Sequence, residues 1–343
     1  MNDKLRIDEK RRLYCRKMLK GNRMEFGENL GNEPQKLGFF LLPEFSLMAF
    51  ASTSEPLRIA NWLKGETLYD WTLLSEDGQP VKASSGMDVP VDCSIDDIDF
   101  LPMILTCASH HPEIAATDKG LGWLRRQGSR GALLGAIDTG SHILAAAGLL
   151  DGYKATIHWV HIDSFPEHFP KVNVSRDLYV VDRQRFTATG GTAGTDMMLQ
   201  LISMQHGRDL AVAVAEQISY NRMREGHEPQ RMDTGHRLAT SNRYVIQAVE
   251  QMETHIEDPL RTSDIADLLG ISLRELERAF QKALKNTPGA YYRRMRLEKS
   301  RKLLQQTDLS VLDVAVSCGF TSSAHFSRCY REHYGHPPST DRK

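Results

Sequence analysis

Absences narrow this sequence first. In 343 residues there are five cysteines, Cys15, Cys93, Cys107, Cys318 and Cys329, and no two of them form a CxxC pair. An odd, scattered set supplies neither a disulfide framework nor a zinc ribbon, and it predicts a reducing, cytoplasmic setting. No apolar stretch approaches the ~18 residues needed to cross a bilayer. Met1 to Lys20 is charged throughout and has no signal-peptide core, so no membrane association is expected. Charge of one sign is also missing, with 43 Lys+Arg against 44 Asp+Glu. Taken whole, that balance speaks against nucleic acid. The 41% hydrophobic content excludes a disordered chain, and the length favours two domains.

Polar residues 1–35 read as a mobile tail. From Lys36 strand and helix signals alternate. Leu37 to Leu42 is a buried strand ended by Pro43, and Ser46 N-caps a helix to Trp62. Strands follow at Tyr69 to Ser75, Phe100 to Cys107 and Ala132 to Ile137, then a strand pair over Leu178 to Val181 and Phe186 to Thr189. Helices lie between them and over Ala193 to His206. The expectation is an α/β domain over 36–220, a parallel sheet with helices on both faces. Residues 221–240, rich in Arg, Glu, Gly and His, read as a linker. Residues 241–341 read as all-α.

Charge divides at the same place. Residues 241–343 hold 16 Lys+Arg against 13 Asp+Glu, a net of +3 that leaves the rest of the chain at −4. Arg293, Arg294, Arg296, Lys299, Arg301 and Lys302 crowd into one segment. Alone, such a run is as readily a solvated helix face. An internal repeat changes its meaning. Asp264 to Ser272 matches Asp313 to Thr321 at an offset of 49, and Leu276, Phe280 and Pro288 match Phe326, Tyr330 and Pro338 at an offset of 50. Each unit is a short helix, a Gly turn, a Ser/Thr cap and a longer helix, the form of a helix-turn-helix. The connecting helix, Pro288 to Gln305, rises about 27 Å at 1.5 Å per residue. That suits two recognition helices in successive major grooves about 34 Å apart, with the basic run beside phosphates.

Asp313-Val-Ala-Val-Ser-Cys-Gly through Tyr334-Gly-His-Pro-Pro338 resembles the signature of AraC/XylS-type bacterial transcription regulators. The resemblance implies that Arg274, Glu277 and Arg278 face the major groove from the first unit, and Ser323, Ala324 and Ser327 from the second, with Arg328 on or near a phosphate. Glu277 has two roles open to it: accepting from cytosine, or orienting Arg274 or Arg278. The family also implies double-stranded DNA, RNA polymerase and a second copy of the chain as partners.

Gly135-Ala-Ile-Asp138-Thr-Gly140 lies between an apolar strand and a helix, the position of a nucleophile elbow. With Leu134 to Trp159 and Lys36 to Asn61, it resembles the class I glutamine amidotransferase-like (PfpI-type) domain that precedes an AraC-type domain in one group of regulators. Asp138 stands where the enzymes carry Cys, and His158 matches their catalytic His. A carboxylate is a poor acyl-transfer nucleophile, so the expectation is a ligand pocket without catalysis. An amidase or other hydrolase-like enzyme fused to a DNA-binding domain is the competing class.

Asp138 suits a cationic group, Trp159 and Phe45 could stack on it, and the N–H groups of Thr139, Gly140 and Ser141 could take a carboxylate. The implied effector is glycine betaine, carnitine, or a related amine or amino acid. The plainer alternative has Asp138 capping the helix and Trp159 in the core. His110, His111 and Glu113, or His158 and His161, lack a third metal ligand in a convincing arrangement, and no cofactor is expected. Gly190-Gly191 reads as a packing turn or pocket wall, with an anion cradle as the alternative, and Asp196 as a first-turn residue that complements the helix dipole.

Overall fold

The computed structural model describes residues 25–28 and 33–342. The chain divides into two compact units after Gln230. In the first, the strands of the main sheet among the described residues are β1 (Gln35–Leu41), β2 (Tyr69–Ser75), β3 (Cys93–Ser94), β4 (Met103–Ala108), β5 (Leu133–Asp138), β6 (Tyr179–Asp182) and β7 (Arg185–Ala188). Their spatial order is β6-β7-β5-β4-β1-β2-β3. All pairings are parallel except that of β6 with β7.

Successive side chains point to opposite faces of a strand, and both faces here are apolar. On one lie Leu37, Phe39, Met103, Leu105, Leu133 and Ile137. On the other lie Phe40, Ile104, Leu134 and Ala136. The longer helices are α1 (Leu47–Lys64), α2 (Asp118–Ser129), α3 (Gly140–Ala146), α4 (Ala193–His206) and α5 (Arg208–Gln217). The residues of α1, α4 and α5 cover the first face, and those of α2 and α3 the second. Ser46 caps α1, its hydroxyl accepting from the Ala49 N–H at 3.2 Å. Pro56 inside α1 cannot donate to the Ser52 carbonyl one turn back. The Thr195 hydroxyl donates to that carbonyl instead, at 3.1 Å, so the break is repaired from α4.

Two expectations need correcting. Most of the expected mobile tail lies outside the described residues, but Phe26 is buried with its ring 5.1 Å from Phe186. Gln35 already belongs to β1, and Gln205 Nε2 donates to the Glu28 carbonyl at 3.0 Å. Nor is 221–240 a free linker. Arg224 Nη2 lies 2.6 Å from Asp196, and Gln230 Nε2 donates to Thr156 Oγ1 at 3.0 Å, within the first unit. In the second unit Arg237 pairs with Glu253 at 2.8 Å. The charged residues that suggested solvent are used as ion pairs.

The longer helices of the second unit are α6 (Arg243–Thr254), α7 (Thr262–Leu268), α8 (Leu273–Leu284), α9 (Pro288–Gln306), α10 (Val311–Ser317) and α11 (Ser323–Tyr334). It has two small cores strung along α9. Tyr292 joins Val245, Val249, Met252, Ile265, Leu276 and Phe280. One to three turns later Leu297, Leu303 and Leu304 join Val314, Phe326 and Tyr330. Each core belongs to one helix-turn-helix, and α9 spaces them.

Candidate functional site

Strand β5 ends at Asp138, whose φ of 61° is left-handed. A non-glycine residue held there stores strain and throws its side chain out of the strand line. The turn is set by what surrounds it. A Cβ at Gly140 would stand 2.3 Å from the Thr106 carbonyl oxygen of β4, so only glycine lets α3 begin there. A Cβ at Gly190 would stand 3.0 Å from Asp138 Cβ, so the Gly190 turn lies close to the acid and leaves no room for a side chain.

Asp138 is only 8% exposed. Burial pushes its carboxyl up to about 7, against hydrogen bonds from the Ser109 side chain and the Thr139 N–H that hold it down. His158 and Trp159 are half-buried on one loop, with ring centroids 5.6 Å apart and planes inclined at 41°. The His158 N–H donates to the Asp138 carbonyl at 3.4 Å.

The backbones of Asp138 and His158 are thus bonded, with Trp159 next along the loop and its ring beside that of His158, but other expected ligand contacts are not made. Phe45 is completely buried, edge-on to Phe50 at 6.0 Å, because the chain turns it into the core above β1. Thr139 donates its hydroxyl to the Ser109 carbonyl, and Ser141 to the Thr156 carbonyl, both at 2.6 Å. Those two side chains fasten the flanking loops. The Thr139 N–H is taken by Asp138 itself. Cys107 lies at the end of β4 and pairs in register with Ile137. Burial and the Asp138 charge push its thiol well above the ordinary range, so no thiolate stands ready there. Ser109 is the site residue that sequence reasoning missed, while the Gly190-Gly191 turn stands beside Asp138. Among the described residues no three His, Cys, Asp or Glu side chains gather as a metal site.

In the second unit α8 carries Arg274, Glu277 and Arg278 exposed on one side, with Leu276 and Phe280 fully buried on the other. Gln281, unforeseen from the sequence, shares their surface. In α11, Ala324, Ser327 and Arg328 share a surface with Arg331 and Glu332, and Ser323 is exposed in the first turn. The α11 cap is Ser322, which accepts from the His325 N–H at 3.2 Å, not Thr321. Ser322 is 50 residues after the α8 cap, Ser272, so the extra residue of the second unit falls before its cap.

The basic run on α9 is mostly spoken for. Arg296 donates to the Cys318 carbonyl at 2.7 Å and the Gly319 carbonyl at 2.6 Å, and stacks 4.1 Å over Phe320. Arg301 lies 3.2 Å from Asp341, Lys299 3.5 Å from Glu257, and Arg294 3.5 Å from Glu298. Arg293 is exposed. The phosphate reading of the whole run is therefore corrected: most of the groups that occupy it sit far away in sequence, where inspection of the run alone cannot find them. Removing one phosphate ligand reduces the salt slope of log affinity by about 0.9. Arg293→Ala and Arg328→Ala are each expected to lower that slope by roughly one unit, and Arg301→Ala to leave it unchanged. Fluorescence anisotropy on selected DNA over a salt series checks this.

Two linked helix-turn-helix units with solvent-facing second helices, following a doubly covered parallel sheet, define a DNA-binding regulator with an α/β regulatory domain. Residues 265–343 match the model of a helix-turn-helix domain family and 39–204 that of the DJ-1/PfpI family. The chain is 45% identical over 308 residues to the HTH-type transcriptional regulator CdhR of Pseudomonas aeruginosa, covering 90% of this chain and 91% of that one. It is 42% identical over 310 residues to GbdR of the same species, covering 90% and 84%. A crystal structure of a ThiJ/PfpI family protein from Pseudomonas syringae shares the fold, with TM-score 0.50, 20% identity, and coverage of 69% and 95%. The chain belongs to the AraC-type transcription regulators that carry a DJ-1/PfpI domain ahead of the DNA-binding domain. It is a sequence-specific DNA-binding regulator.

Proposed function

We propose that residues 36–220 sense a small zwitterion or quaternary ammonium compound, and that residues 241–341 respond on DNA as a homodimer that recruits RNA polymerase. The observation that carries this reading is Asp138. It occupies the strained elbow where hydrolase relatives of this fold hold a thiol, and it is buried with a raised carboxyl beside a Gly turn and the His158–Trp159 loop. A buried acid with no cationic partner among the described residues favours a cation that brings its own charge, and Trp159 on the adjoining loop is the aromatic face proposed for it. Glycine betaine, carnitine, dimethylglycine and arginine are the compounds of this class to try. Arg274, Glu277, Arg278, Ser323, Ala324 and Ser327 are assigned to the DNA face, with Arg328 near a phosphate. The same substitution of acid for thiol argues that the elbow does no acyl-transfer chemistry.

A bound cation stabilises the ionised acid, so binding must release a proton near pH 7 and strengthen as pH rises through 7. The sign follows from the raised carboxyl: below about 7 it is neutral, and ionising it is part of the work of binding. Calorimetric titration in two buffers of different ionisation heat is expected to show buffer-dependent heat. No heat from any of the four compounds overturns the effector class.

A further inference from the structure

We propose that residues 219–230 form a clasp that ties together the two loops flanking Asp138 and passes the state of that site to the DNA-binding unit. The inference rests on the sensing role proposed above. Two fastenings define the clasp. At one, Asp196 in the first turn of α4 is completely buried and collects four donors from the segment. Tyr220 OH reaches it at 2.8 Å, the Arg224 N–H at 2.7 Å, Arg224 Nε at 2.9 Å and Arg224 Nη2 at 2.6 Å. Arg224 Nη2 also donates to Thr192 Oγ1 at 2.7 Å. Thr192 and Asp196 closely follow Gly190, whose turn lies close to Asp138.

At the other, Gln230 Nε2 donates to Thr156 Oγ1 at 3.0 Å, the Ile157 carbonyl at 3.2 Å and the Asp177 carbonyl at 3.2 Å. The next residue after Ile157 is His158, whose N–H bonds to the Asp138 carbonyl. Between the fastenings the Gly226 carbonyl accepts from the Leu178 N–H at 2.7 Å, and Pro229 bridges Asp177. Gly226 is required, since a Cβ there would stand 2.8 Å from the Tyr179 carbonyl.

The sequence reading of Asp196 as a helix-dipole residue therefore missed its main partner. Its carboxylate holds a cation from a segment that looked like linker. The clasp ends at Gln230, where the first unit ends. Its lock is also imperfect, because the Gln230 carboxamide oxygen is buried without a hydrogen-bond partner among the described residues. Release would let that oxygen hydrate. The Gly190–Thr192 turn and the Thr156–His158 loop both border Asp138, and each carries one fastening, so a ligand cation seated at Asp138 acts on the clasp through one or the other. Displacing either loosens the segment leading into the DNA-binding unit. A segment with two discrete arrangements, biased by a ligand, is what coupling between the units requires.

The test needs no effector. Hydrogen exchange is measured on the full chain for wild type, Arg224→Gln and the charge-balanced double variant Asp196→Asn/Arg224→Gln. The double variant leaves no lone buried carboxylate to unfold the domain. Transcription is read in parallel from a reporter carrying a DNA fragment selected by the wild-type protein. In the double variant, amides of 219–230, 156–158 and 190–193 are expected to exchange at least about tenfold faster together, and effector-free transcription to shift at least about threefold. Arg222→Gln, which removes only the exposed pair with Glu228 on the same segment, is expected to change neither. Faster exchange confined to 219–230, or transcription equal to wild type, overturns the proposal. A null calorimetric result for all four compounds would remove the effector class while leaving these readouts intact, so the two failures are distinguishable.

Discussion

Replacing Asp138 by asparagine is expected to raise the stability of the effector-free protein at pH 8 and to abolish its response to effector. The two effects have one cause. A carboxyl whose ordinary value is 3.8 sits at about 7 in the folded protein because burial penalises its charge. At pH below 3.8 the group is neutral in folded and unfolded chains and costs nothing. As pH rises through the window from 3.8 to 7, the unfolded chain ionises first, and the folded state loses stability relative to it. At 1.36 kcal/mol for each unit, the full loss above pH 7 is on the order of 4 kcal/mol. Asparagine stays neutral throughout, tolerates the left-handed φ, and keeps an acceptor for the Thr139 N–H. Urea unfolding should therefore show the variant and wild type alike near pH 4 and the variant ahead at pH 8. Equal stability at both values would mean that burial does not penalise the Asp138 charge. Loss of effector heat in the same variant is the expected result if the buried charge is kept for an incoming cation.

The second large effect is expected at Arg296. Its guanidinium donates to two carbonyls at the C-terminal end of α10 and stacks on Phe320. Helix C-termini leave carbonyls unpaired, and a cation there is favourable. Arg296→Met keeps much of the stem but leaves both carbonyls without their donor, a loss of about 2–4 kcal/mol. That is a large fraction of what a core as small as the second one supplies. The turn between α10 and α11 then loosens, and DNA affinity is expected to fall by at least about tenfold, since 1.4 kcal/mol of ordering is already one decade. Arg293→Ala, on the exposed side of the same helix, should leave the melting temperature unchanged and act only through salt-dependent affinity. Far-UV circular dichroism melts of the C-terminal unit within the full chain, paired with DNA titrations, separate the two. If Arg296→Met and Arg293→Ala behaved alike, the structural role of Arg296 would be wrong.

Much of the architecture was legible from local pattern. Apolar runs marked β1, β4 and β5, and the matched Asp–Gly–cap–Phe spacing marked both helix-turn-helix units. Asp138 stood out because a charged residue between an apolar strand and a Gly-started helix is costly unless used. What stayed hidden were partners. Phe45 resembled a stacking ring, but its surroundings are core. Arg296 and Arg301 looked like phosphate ligands, while the carbonyls and carboxylate they bind lie 22 to 40 residues away in sequence. Arg224 sat in an apparent linker, and Asp196 lay 28 residues before it.

The amino-acid sequence by itself determined the division into an α/β unit and a two-fold helical unit, most turn and cap positions, and the placing of an acid at the elbow. Each of these depends on residues within one or two turns of each other, where propensity and periodicity act directly. The tertiary structure alone decided which charges are free and which are paired, how far burial raises Asp138, and that residues 219–230 belong to the regulatory unit. Solvation and ion pairing depend on neighbours brought together by folding, and no local pattern encodes that distance.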